Sequence, residues 1–91
     1  MSNYRLSLEY CVPWNYLDRA VGAMNDVLSH YQHVVDSFEL IHGTKGAYEF
    51  KVNDKLVYSK KDLGRHAEPG EILNLFKEIV GPDVVVYPQT K

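Results

Sequence analysis

Tyr4-Arg5-Leu6-Ser7-Leu8-Glu9-Tyr10 alternates apolar and polar residues without a break, and it runs straight into Cys11-Val12-Pro13-Trp14. Period-two alternation puts Tyr4, Leu6, Leu8 and Tyr10 on one buried face of a strand. The period then changes. Leu17, Ala20, Val21, Met24, Val27, Leu28 and Tyr31 recur at helical spacing, and Asp18, Arg19, Asn25, Asp26, Ser29 and Gln32 fall off that stripe. Pro13 suits the first turn of a helix, where its missing N–H is not needed. The spacing therefore predicts a strand over 4–10 and a helix over 13–33, with a cysteine at the joint.

The chain after this joint is read in the same way. Residues 34–41 have strand composition, and Gly43-Thr44-Lys45-Gly46 is a turn signal. Tyr48, Phe50 and Val52 alternate, and Leu56-Val57-Tyr58 follows. Asn53-Asp54 lies between the two runs, and both residue types tolerate the left-handed backbone of a two-residue hairpin loop. A β-hairpin is predicted over 47–60 and a polar loop over 63–68. A second helix is predicted over 69–80, with Pro69 in its first turn and Glu71 near the positive end of its dipole. Ile72, Phe76 and Ile79 form its stripe, and Gly81-Pro82 stops it.

The order β-α-β-β-β-α defines an α+β domain, an α/β sandwich of a mixed four-stranded sheet and two helices. The strand–helix–strand crossover favours a right-handed parallel pair, and the hairpin adds antiparallel strands. Residues 1–81 make one domain, and 82–91 form a C-terminal tail. Val84-Val85-Val86-Tyr87 is too apolar to hang in water, so residues 83–87 are expected as a short extended segment on an edge strand. The edge belongs either to this chain or to a second copy in a homodimer.

Composition excludes several function classes. A net charge of −2 offers no basic excess for nucleic acid, and Lys60-Lys61 reads as a solvated strand end. No apolar run approaches the length of a membrane span, and the first residues lack the pattern of a signal peptide. One cysteine in 91 residues rules out a disulfide within the chain and, with no export signal, fits a reducing cytoplasm.

Cys11 carries the chemical interest. A thiol at a helix start feels the positive end of the dipole and nearby free N–H groups, and both favour the thiolate. The bland reading is a small buried residue that ends a strand. Trp14 either packs against the sheet edge or shields Cys11 as part of an apolar docking surface with Val12 and Pro13. His30 and His33 are three apart on one helix, but the thiol lies at the other end of it, so no metal site is expected. His66 lies either near Cys11 or at the cap of the last helix.

Four stretches together resemble the Rdx family, thioredoxin-like proteins related to selenoproteins W, T and H. They are Leu8-Glu9-Tyr10-Cys11, the run from Gly43 to Phe50, Tyr58-Ser59-Lys60-Lys61, and the run from Gly64 to Glu71. The resemblance covers about residues 4–80. It implies a thioredoxin-like sheet with a thiol or selenol site in the first β–α loop, as Cys-x-x-Cys or Cys-x-x-selenocysteine. Cys11 matches the first position of that motif, and Trp14 stands at the second, so neither selenium nor two-thiol chemistry carries over. The resemblance also places Thr44 in a binding site, beside the redox loop.

Two functions are expected from this reading. The first is a single-cysteine thiol redox protein that forms a mixed disulfide with glutathione or a protein thiol and needs no other cofactor. The second is a non-catalytic interaction module in which Val12, Pro13 and Trp14 bind a partner. Either would be a monomer or a homodimer, without nucleic acid or membrane partners.

Overall fold

The computed structural model describes residues 3–87. Strand β1 (Tyr4–Cys11) lies inside the sheet, as its two-sided hydrogen bonding requires. Helix α1 (Leu17–Tyr31) and a 3₁₀ turn (Gln32–Val34) lead to β2 (Val35–Gly43). The hairpin strands are β3 (Tyr48–Val52) and β4 (Lys55–Ser59). A short helix α2 (Lys60–Leu63) and helix α3 (Glu71–Val80) complete the order. The sheet runs β2-β1-β3-β4, with β2 parallel to β1 and the other pairs antiparallel.

One face of the sheet is covered and the other is open. Leu6, Leu8 and Tyr10 of β1 pack with Tyr48, Phe50 and Val52 of β3, with Ala20, Val27 and Tyr31 of α1, and with Ile72 and Phe76 of α3. This apolar burial is the main stabilising term of a domain this small. Ser7 and Glu9 alternate onto the opposite face, and their register partners there are Glu39, Ile41, Lys51 and Glu49. The hairpin turns at Asn53 and Asp54, both with positive φ (51° and 70°), as a two-residue loop demands. Asn53 extends the β1–β3 ladder. Its N–H donates to the Arg5 carbonyl and its Oδ1 accepts from the Arg5 N–H, both at 2.8 Å.

Several boundaries differ from the sequence reading, each for a physical reason. The first helix begins at Leu17, because Val12–Asn15 form a turn and Asn15 takes a left-handed φ of 58°. Pro13 is thus a turn residue. Cys11 is consequently the last residue of β1 and does not sit at a helix N-terminus. Ser59 caps α2 by accepting the Asp62 N–H, so Lys60 and Lys61, read as a strand end, open a helical turn that runs to Leu63, the first residue of the expected polar loop.

The tail finds hydrogen bonds, but not on a sheet edge. The Tyr87 N–H donates to the His30 carbonyl at 2.7 Å, and His33 Nε2 donates to the Val85 carbonyl at 2.7 Å. The last carbonyls of a helix have no partner within it, so the end of α1 offers acceptors where α3 releases the chain. Val84 and Val86 are partly buried against the core and Val85 is exposed. Residues 88–91 of the expected tail lie outside the described residues. Among the described residues, no helix is long and apolar enough to cross a membrane.

Candidate functional site

Cys11 closes β1 at the carboxyl ends of the two parallel strands. Its register partner on β2 is Gly43, and its N–H donates to the Ala47 carbonyl at 2.9 Å. The Val12 N–H donates to the Gly43 carbonyl at 3.1 Å, and the Tyr16 N–H returns to the Cys11 carbonyl at 3.1 Å. The turn carrying Cys11 and the turn carrying Thr44 are thereby laced together through main chain. The thiol itself is 0% exposed. Tyr10 is also buried, although adjacent strand residues point to opposite faces, so the end of β1 is enclosed on both sides.

The groups around this thiol point outward. Val12 is 45% and Trp14 59% exposed, and Pro13 is exposed as well. Trp14 does not pack against the sheet edge. Its ring lies over Gly46, where a Cβ would come within 2.6 Å of the indole. Gly46 has a φ of 76°, so the position requires glycine both for its backbone and for the ring resting on it. Trp14 meets Tyr16 edge-on at 6.2 Å.

Tyr16 joins His66 to the group. The two rings meet edge-on at 4.5 Å, and Tyr48 meets His66 at 6.1 Å. His66 Nδ1 is buried without a hydrogen-bond partner. Burial, with Arg19 and Lys60 nearby, holds the His66 imidazole below its ordinary pKa. Lys60 Nζ lies 5.8 Å over the Tyr16 ring. His66 does not cap the last helix. That helix has Gly70 as its N-cap and no side-chain cap; Glu71 in its first turn instead takes both Arg65 nitrogens, at 2.8 and 2.9 Å, and accepts the Glu68 N–H of the preceding loop at 2.8 Å. This holds the Glu71 carboxyl down to about 2.

The structure therefore gathers Cys11, Val12, Trp14 and the Thr44 turn, and brings in His66 through Tyr16. Sequence reading missed Tyr16, Gly46 and Lys60. Lys60 had a signal, since the Tyr58-Ser59-Lys60-Lys61 stretch carries part of the family resemblance. His30 and His33 each meet a main-chain carbonyl: His30 Nδ1 pairs with that of Asp26, and His33 pairs with that of Val85. Among the described residues no three His, Cys, Asp or Glu side chains converge as a metal site would require.

A sheet of this order, covered by helices and bearing a cysteine at the end of its first strand, is a thioredoxin-like α+β fold. A family-wide sequence profile described as the Rdx family matches residues 5–78. The chain belongs to the Rdx family. Its fold is similar to the crystal structure of a selenoprotein W-related protein from Vibrio cholerae, with a TM-score of 0.80 at 16% identity, covering 88% of this chain and 100% of that one. It is likewise similar to the crystal structure of a Bordetella parapertussis protein, with a TM-score of 0.78 at 19% identity, covering 85% of this chain and 98% of that one. No curated protein matches the sequence significantly.

Proposed function

We propose that this chain is a thioredoxin-like thiol redox protein that works through one cysteine. Position is the observation that carries the reading. Cys11 ends β1 at the carboxyl edge of the parallel pair, where open α/β sheets place their sites, and in the loop where the family resemblance puts its thiol. Cys11 gives up its proton to solvent, and the thiolate attacks one sulfur of a disulfide. A Cys11–sulfur bond forms, and the other sulfur leaves as a thiolate. Cys11 is thereby oxidised and the attacked disulfide reduced; an external thiol reverses the step. Because the thiol is buried, the turn at Val12–Asn15 opens first.

Mass spectrometry after exposure to oxidised glutathione tests this. One glutathione is expected on each chain, at Cys11. A native protein that stays unmodified overturns the reading.

A second reading, the interaction module, is favoured by one observation: the thiol is shut away while Trp14 and Val12 face solvent. Alkylation kinetics separate the two. A redox thiol is alkylated faster than the protein unfolds globally. A merely structural thiol is alkylated only at the unfolding rate.

A further inference from the structure

The two edges of the sheet are built differently. β4 is five residues long and carries Lys55, and short edges that bear lysine resist pairing with a further strand. β2 is nine residues long and has neither lysine nor proline. Among the described residues no strand or loop pairs with its outer side, so main-chain N–H and carbonyl groups there are free to pair.

An apolar flank lies beside that edge, because the helical stripe of α1 is wider than the sheet covers. Ala20, Ala23, Val27 and Tyr31 are its buried row. Leu17, Val21, Met24 and Leu28 form a neighbouring row along the same helix. Leu17 is 43% and Val21 41% exposed, and Met24 and Leu28 are half-buried. Arg19, Gly22 and Asp26, on the other flank of α1, line a cleft against the loop 67–70 and Ile72 of α3. The exposed row is therefore turned away from α3. With α1 packed over β1 and β2, the row overhangs the outer side of β2. Phe38 and Leu40 on the covered face of β2 are only half-buried below it, and Ile41 on the open face is exposed.

We infer that a second copy of this chain covers this surface, with the two β2 strands antiparallel about a two-fold axis normal to the sheet. That operation joins two four-stranded sheets into one and sets each exposed α1 row against its own copy. A lone strand from elsewhere would satisfy the main chain and leave the α1 row in water. With Phe38 opposite Phe38, Glu39 meets Ser37 and Asp36 meets Leu40, so no like charges are directly opposed. The edge is about 30 Å long at the ordinary strand rise. The molecule is 21 Å across in its shortest dimension, so each copy presents roughly 600 Å², at the lower end of what a specific dimer buries. The dimer is accordingly weak, with a Kd of roughly 1–100 μM.

Sedimentation equilibrium with the thiol kept reduced reads the association, and amide hydrogen exchange at low and high protein concentration locates it. Dimer should appear across that concentration range, and alternate amides of β2 should gain protection as it does. Leu17→Lys combined with Val21→Lys should raise Kd about tenfold or more. Both side chains are exposed, so the variant's circular dichroism should match the wild type's. The exchange measurement is made on the wild type and decides without the variant. A chain still monomeric at about 1 mM overturns the inference and leaves the edge to a strand of another protein. A dimer indifferent to the two lysines, or one whose protection falls on β4 and spares β2, overturns it as well.

Discussion

Two loops flank Tyr16, and they are held in different ways. The loop from Gly64 to Gly70 is tied by side chains. The Tyr58 hydroxyl donates to the Arg65 carbonyl, Arg65 grips Glu71 with both nitrogens, and Glu71 accepts the Glu68 N–H. The turn at Val12–Asn15 has main-chain hydrogen bonds alone among the described residues, and its side chains face water. A loop locked by side chains has one favoured shape. A turn whose side chains make no hydrogen bond, and whose one packed ring, Trp14, is mostly in water, can rearrange without breaking a buried side-chain bond. The difference assigns support to the first loop and chemistry to the second.

The largest break in this comparison comes from Gly46→Val. The side chain strains a left-handed backbone and displaces the Trp14 ring, so a loss of about 2 kcal/mol is expected in denaturant unfolding. Trp14 is the single tryptophan, so its fluorescence reports this turn and shifts in the same variant. Tyr58→Phe loosens the other loop by one hydrogen bond, about 1 kcal/mol in the same measurement.

Glu71→Gln acts through pH. The native carboxyl sits near 2 against an ordinary 4.5, so its contribution is full above about 4.5 and is lost as pH falls toward 2. The variant should therefore be less stable at neutral pH and show a shallower acid loss between those values, read from midpoints against pH. His66→Gln tests the junction of the two loops. A lowered imidazole pKa stabilises fully above 6.5, and that contribution is lost as pH falls from 6.5 toward the native value. The wild type should lose more stability than the variant between about pH 7.5 and about pH 5.5. Trp14→Ala is the smallest change, within about 0.5 kcal/mol, because its ring is mostly in water. A larger loss would show that the turn is as firmly tied as its neighbour.

The sheet was legible in the sequence wherever one face is covered and the other open. Alternation through Tyr4–Tyr10 and Tyr48–Val52 is the direct imprint of helices packed on one side only. The hairpin turn was legible because Asn and Asp announce left-handed backbone. The helix start was misread because Pro13 fits both a first helical turn and a loop, and only Asn15, with its positive φ, told them apart. Helix α2 had a signal in Ser59-x-x-Asp62, a serine three residues before a carboxylate. Cys11 was legible as the point of interest, and the structure gives it the placement of the bland reading, a small buried residue that ends a strand; what lies beside it was not legible, since the turn it is bonded to is more than thirty positions away.

The parallel pairing of β1 has a consequence for how the sheet is assembled. β1 precedes both of its partners in the chain yet lies between them. The β3–β4 hairpin closes over a two-residue turn and forms on a timescale of about 1–10 μs. The β1–β2 pair must first bring together segments separated by a whole helix, a slower closure. By loop-closure entropy alone the hairpin is the quicker of the two closures, and the pairing of β1 with β2 is the slower one.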